Sequence, residues 1–176
     1  MQPITCIEDL HRLYLQRVPR MFVDYCESGS WTETTLRRNL EDFARIQLHQ
    51  RVAVGVEDGT TSTTMLGQDV ALPVALAPVG LCGMQHADGE MLAAKAALDF
   101  GVPFTLSTMS VCSIEDVAAF VKRPFWFQLY VMRDHAFIER LIDRAKAAGC
   151  SALVLTLDLQ VMGQRHRDIR NGLSTP

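Results

Sequence analysis

Several short stretches of this chain carry side chains able to do chemistry. Gln128 and Tyr130 stand two apart in Trp126-Phe-Gln-Leu-Tyr130, so on a strand they share one face while Phe127 and Leu129 take the other. Ser107 and Thr156 offer hydroxyls at the ends of apolar runs, and Pro78-Val79-Gly80 offers backbone groups where another run stops. Arg165 lies in a charged segment, Gly163-Gln-Arg-His-Arg-Asp168. Each also has a plainer reading. A core tyrosine finds any hydroxyl partner, and Ser107 and Thr156 can bond a neighbouring backbone group. Pro78–Gly80 can be an ordinary turn, and 163–168 taken alone is a solvated charged loop. Tyr25, in Phe22-Val-Asp-Tyr25, reads by itself as a helix-packing residue.

The elements that must position these residues fall into two kinds. Ile7, Leu10, Tyr14 and Val18 recur at helical spacing and stop at Pro19. A second helix is expected over Arg20–Glu27, ending at Ser28-Gly29-Ser30. A third is expected from Thr32, with Leu36, Leu40 and Phe43 on one face. Alternating residues follow from Gln47 to Val54, then a hairpin with its turn near Gly67-Gln68. Residues 1–71 thus form a helical cap and a β-ribbon.

From Leu72 the rhythm changes. Apolar runs at Leu72–Ala77, Val102–Leu106, Trp126–Tyr130 and Ala152–Leu157 alternate with helical segments. One helix runs from about Asp88 to Phe100 and stops at Gly101. The next opens on a capping box, Ser113-Ile-Glu-Asp116, and a third runs from Asp134 to Gly149. Continuous apolar strands alternating with amphipathic helices are the pattern of parallel β/α architecture. No G-x-G-x-x-G or G-x-x-x-x-G-K-[ST] follows any strand, which removes the nucleotide fingerprints of open doubly wound sheets. The polar residues gather instead at strand ends, where (β/α)8 barrels build their sites. The expected fold is α/β: residues 72–176 form about four βα units, the N-terminal half of a TIM barrel.

Composition narrows the function. The net charge of −3 carries no basic stripe, which argues against a nucleic-acid partner. The five cysteines lack C-x-x-C spacing and fit buried thiols of a reducing compartment better than disulfides. His11, His49, His86, His135 and His166 show no metal-ligand spacing, so no metal is expected. The N-terminus has acids where a signal peptide needs bases, and no apolar run approaches the ~18 residues of a spanning helix. A cytoplasmic protein is expected, if membrane-associated then peripheral on the inner face.

Taken in order, four segments resemble one family. They are Leu76-Ala-Pro-Val-Gly-Leu-Cys-Gly-Met84, Pro103-Phe-Thr-Leu-Ser-Thr108, Trp126-Phe-Gln-Leu-Tyr-Val131, and Leu155-Thr-Leu-Asp158 with Gly163-x-Arg165-x-x-Asp168. The chain resembles the FMN-dependent α-hydroxy-acid oxidases and dehydrogenases, and within them the bacterial L-lactate dehydrogenases most. The resemblance implies FMN as cofactor, with backbone groups of Pro78, Val79 and Gly80 along the flavin. It implies that Ser107, Gln128 and Thr156 hydrogen-bond the polar edge of the ring. Tyr25 and Arg165 would hold the substrate carboxylate, a match of planar fork to carboxylate, and Tyr130 would contact the substrate hydroxyl as a catalytic group. The match of Met21-x-x-Asp-Tyr25 and Ser28-Gly29 to the family carries the Tyr25 assignment.

The implied reaction is oxidation of a small L-2-hydroxy acid, L-lactate to pyruvate, with a quinone or similar acceptor instead of O2. Gly80 supports that acceptor by resemblance, because oxygen-reactive relatives commonly carry alanine there. Glycolate- or mandelate-type oxidation is the alternative substrate reading. The family's histidine base, a lysine, a second arginine and the phosphate loops are expected from a C-terminal half that this chain lacks, and the complete enzyme is expected to be a homo-oligomer. A different class of function also fits: a half-barrel serving as a non-catalytic binding module. Its unpaired strand edges weigh against it.

Overall fold

The computed structural model describes residues 3–55, 57–158, 161 and 163–173. Met1 and Gln2 of the N-terminal segment, and Ser174–Pro176 at the other end, lie outside the described residues. Two compact units form: Met1–Val56 with Val161–Pro176, and Glu57–Gln160. No helix among the described residues is long and apolar enough to cross a membrane.

In the first unit, helices α1 (Ile7–Arg17), α2 (Arg20–Glu27) and α3 (Thr34–Ala44) follow one another. Pro19 ends α1 as its missing N–H requires. Helix α3 begins two residues later than the leucine spacing predicts, because Glu33 adopts a left-handed conformation (φ 58°) immediately before it. The alternation over Gln47–Val54 produces no strand. Leu48 and Val52 are 93% and 86% exposed, and period-two patterning needs a sheet partner to bury its apolar face. A further short helix occupies His166–Arg170, where the charges alone suggested a solvated loop.

The second unit opens with a hairpin, β1 (Thr63–Met65) and β2 (Gln68–Val70), paired antiparallel. Its turn is Leu66-Gly67, one residue earlier than expected, with positive φ at both positions (48° and 76°). That is the mirror-image turn matching strand twist. A parallel sheet follows in the order β3 (Thr105–Ser107), β4 (Trp126–Tyr130), β5 (Ala152–Thr156). The run Leu72–Ala77 contributes one parallel bridge, Leu76 to Phe104, rather than a full strand. Pro73 and Pro78 bracket it and can donate no ladder hydrogen bonds.

Helices α4 (Cys82–Gln85), α5 (Gly89–Phe100), α6 (Ile114–Val121) and α7 (His135–Ala147) connect these strands. The predicted caps operate. The Ser113 hydroxyl accepts from the Asp116 amide at 3.0 Å, and the Asp134 carboxylate accepts from the Phe137 amide at 3.0 Å. Helix α5 ends at Gly101 with φ 90°, a conformation costly for any residue with a Cβ. Ala94 and Ala97 of α5, Val117 of α6, and Ile138, Leu141 and Ala145 of α7 pack with Phe104, Leu106, Phe127 and Leu129 into one core. Strand β4 is buried from Trp126 through Leu129, as a strand covered on both faces should be. Strand β5 departs from that expectation: Leu153 and Leu155 are about half exposed, and its only described neighbour is β4.

Candidate active site

The parallel register sets the site in the second unit. Ser107 pairs with Gln128 across β3–β4, and Tyr130 pairs with Thr156 across β4–β5. The carboxyl-terminal ends of three adjacent strands therefore present one polar row. Gln128 is its centre and is wholly buried. Its Oε1 accepts from the Ser107 hydroxyl and from the Thr108 amide, both at 3.2 Å. Its Nε2 donates to the Thr156 hydroxyl at 2.9 Å, and the second N–H of that amide has no partner among the described residues. The Thr108 hydroxyl donates to the Gln128 carbonyl at 2.5 Å and accepts from the Tyr130 amide at 3.2 Å. Ser107 Oγ also accepts from the Met109 amide at 3.0 Å, closing a tight turn after β3.

Pro78, Val79 and Gly80 lie in the loop between the Leu76 bridge and α4. This loop runs beside the turn after β3, and the Leu81 amide donates to the Met109 carbonyl at 3.0 Å. A methyl group on Gly80 would lie 3.4 Å from Ser107 Oγ and 3.5 Å from Met109 Cβ, ordinary contact distances. The structure thus gathers Gly80, Ser107, Gln128, Tyr130 and Thr156. Thr108 belongs with them as a hydrogen-bond hub. Its signal was its place directly after Ser107, beyond the run that forms the strand.

The first unit holds a separate polar cluster. Arg165 precedes α8 (His166–Arg170), and its Nε donates to Asp168 at 2.5 Å. Its Nη2 donates to the Tyr25 carbonyl and to the Ser28 hydroxyl, the latter at 3.2 Å. The guanidinium carbon stands 5.1 Å from the centre of the Tyr25 ring. Asp168 is 1% exposed, and the Ser28 hydroxyl reaches its other oxygen at 3.5 Å. Arg165 is thereby clamped along its Nε–Nη2 edge, with both Nη2 hydrogens used, and a bound carboxylate would use the two hydrogens of Nη1. Gly163 approaches Ser30 so closely that any Cβ there would overlap the serine hydroxyl. Asp24, also buried, accepts from Arg20 at 3.0 Å and from Asn171 at 3.1 Å. The Asn171 and Arg20 hydrogen bonds hold its carboxyl below the usual carboxylate range, with burial opposing them. The charged segment 163–168, which alone reads as a solvated loop, thus forms a pair between Arg165 and the buried Asp168.

The donor chemistry of the row in the second unit fits a flat heteroaromatic ring with alternating N–H and carbonyl edges. Ser107 and Thr156 each both donate and accept, and Gln128 has an N–H to spare. Among the described residues no group of three His, Cys, Asp or Glu side chains could hold a metal ion.

The fold has known counterparts. The profile of FMN-dependent dehydrogenases matches residues 15–176. A tyrosine-to-phenylalanine variant of mandelate oxidase, solved with (S)-mandelic acid, is 38% identical with a TM-score of 0.92, and the match covers 99% of this chain and 52% of that one. Mandelate oxidase with benzoyl-formic acid is 40% identical with a TM-score of 0.91, over 99% of this chain and 52% of that one. Mandelate oxidase with 3,3-difluoro-2-hydroxy-3-phenylpropionic acid is 40% identical with a TM-score of 0.89, over 96% and 51%. The chain spans about half the length of these structures. With parallel β/α units, a polar row at their carboxyl ends and a match along nearly its whole length, the chain belongs to the FMN-dependent dehydrogenase family.

Proposed function

We propose that this chain is the N-terminal part of an FMN-dependent enzyme that oxidises a small L-2-hydroxy acid. Residues 1–71 would serve as cap and ribbon, and 72–176 as the first four βα units of a (β/α)8 barrel. The observation that carries the proposal is the row Ser107–Gln128–Thr156, hydrogen-bonded across three neighbouring parallel strands. Bound FMN would supply the two-electron acceptor for the hydroxy acid. The protein's part is to hold and orient. Pro78, Val79 and Gly80 would lie along the ring, and Ser107, Gln128 and Thr156 would face its polar edge. Gln128 is wholly buried and held between Ser107, Thr108 and Thr156, so the orientation of its amide is fixed. Amides and hydroxyls fixed beforehand need no reorganisation when charge develops beside them. Arg165 and Tyr25 would hold the substrate carboxylate, and Tyr130 would contact its hydroxyl.

L-Lactate is the substrate that the sequence resemblance favours, with a quinone or dye as acceptor. The solved neighbours favour a second reading: they are mandelate oxidases, which supports an aromatic 2-hydroxy acid. Steady-state kinetics of the full-length FMN protein with L-lactate, glycolate and (S)-mandelate separate these readings by kcat/KM. The lactate reading expects L-lactate to lead and air-reoxidation to be slow; rapid hydrogen peroxide release would overturn the acceptor assignment. No turnover of any 2-hydroxy acid would overturn the function.

A further inference from the structure

Glu90 opens helix α5 (Gly89–Phe100), where carboxylates favour the helix dipole but ordinarily face solvent. Here it is 1% exposed. A carboxylate withdrawn from water is strongly disfavoured unless donors surround it. Its Oε1 accepts from the Val111 amide at 2.9 Å and the Gly83 amide at 3.3 Å, and its Oε2 accepts from the Cys112 thiol at 3.3 Å. Burial opposes its charge, but these donors outweigh burial and hold the carboxyl below its usual range. Burial and the neighbouring carboxylate push the Cys112 thiol up to about 11, so it stays protonated and able to donate.

The donors come from two segments: Gly83 lies in the short helix α4 that closes the loop running from Leu76 through Pro78–Gly80, and Val111 and Cys112 lie in the loop after β3, beyond Ser107–Met109. The loops touch at Gly83, where a Cβ would come within 2.7 Å of Val111 Cβ. They are joined again by the Leu81 amide on the Met109 carbonyl. Helix α5 itself is seated against the first loop, since a Cβ at Gly89 would lie 2.9 Å from the Cys82 carbonyl oxygen. The carboxylate is thus the common acceptor that fastens both loops to one helix.

We propose that Glu90 is a positioning residue: by tying the loop after Leu76 to the loop after β3, it sets the backbone surface on which the flavin ring rests. This rests on the reading that these two loops carry FMN. The test uses the full-length FMN protein with Glu90→Ala and Glu90→Gln. Three quantities are read: the FMN dissociation constant after cofactor stripping, the visible absorption of rebound flavin, and hydrogen exchange at the Gly83, Val111 and Phe127 amides. Glu90→Ala should raise the FMN dissociation constant on the order of ten- to a hundred-fold, the size of a lost charge-assisted hydrogen bond. The Gly83 and Val111 amides should lose protection by a similar factor while Phe127 in β4 keeps its own, and the flavin band should shift. Glu90→Gln keeps an oxygen toward both amides and should show a smaller change in the same direction, which serves if the alanine variant does not fold. Unchanged protection at Gly83 and Val111 in a folded variant would overturn the positioning role. Lost protection with wild-type FMN affinity would instead overturn the placement of FMN on these loops.

Discussion

At the scale of single residues, Arg165 is held so that few replacements can imitate it. Its Nε and Nη2 are committed to Asp168, the Tyr25 carbonyl and Ser28, which fixes the plane of the guanidinium. Lysine offers one point of charge, so it cannot satisfy the clamp and also present the two N–H groups that Nη1 leaves for a ligand. In the full-length enzyme, Arg165→Ala should therefore weaken kcat/KM by about 2 to 5 kcal/mol, the range for leaving a buried partner charge unpaired. That corresponds to roughly 30- to several-thousand-fold, with Arg165→Lys recovering only part. Near-normal turnover by the alanine variant would show that another group binds the carboxylate. Tyr25 illustrates how a contact with Arg165 hides in the sequence. Apart from the family resemblance of Met21-x-x-Asp-Tyr25 and Ser28-Gly29, nothing in its residue type distinguishes it from a packing residue, and its partner Arg165 lies 140 positions away.

At the scale of elements, helices α6 and α7 are joined across their exposed faces by Arg144 and Glu115, a two-pronged pair at 2.8 and 2.7 Å. The arginine hydrogen bonds are the main reason the Glu115 carboxyl falls to about 2 from its ordinary value. Both side chains are about half exposed, so solvent screening limits the pair to at most about 1 kcal/mol. A carboxylate whose folded pKa is depressed stabilises the fold above its unfolded value near 4.5, and that contribution is lost as pH falls toward 2. Glu115→Gln should lower stability by this small amount near neutral pH, by less in high salt, and by only a small remainder at pH 2. Urea unfolding at several pH values checks it; a deficit that persisted in full at pH 2 would point to packing and not charge. The same two helices show why their boundaries were readable. Ser113 and Asp134 cap amides only three residues away, so the signal and the contact sit in one short window.

At the scale of the whole molecule, the described sheet has an open side. Among the described residues strand β5 pairs only with β4, and Leu153, Leu155 and Leu157 are 48%, 51% and 68% exposed. Unpaired backbone groups beside apolar side chains favour association with another chain. Residues 1–176 expressed alone are expected to self-associate and to purify without the flavin band. Co-expression with the C-terminal half of the full-length protein should restore both solubility and colour. Light scattering and absorbance near the flavin maximum are the readouts. A monodisperse yellow 176-residue protein would show that the site closes without further strands.

The chain's own order of residues determined whatever is decided within about one helical turn or one strand. That includes the capped helices α6 and α7, the hairpin with its turn to within one residue, strand β4 and the shared face of Gln128 and Tyr130. Their causes are short-range: a cap hydrogen bond, a glycine φ, a period of two. Tertiary structure decided the rest. It left Gln47–Val54 without a partner, cut the run at Leu72–Ala77 to a single bridge between its prolines, and turned a charged segment into helix α8. It also buried Glu90 and Asp168, which composition alone would put in water. A carboxylate leaves water only where donors meet it: for Glu90 they include the Val111 amide 21 residues away, and for Asp168 the neighbouring Arg165 is joined by the Ser28 hydroxyl 140 residues away.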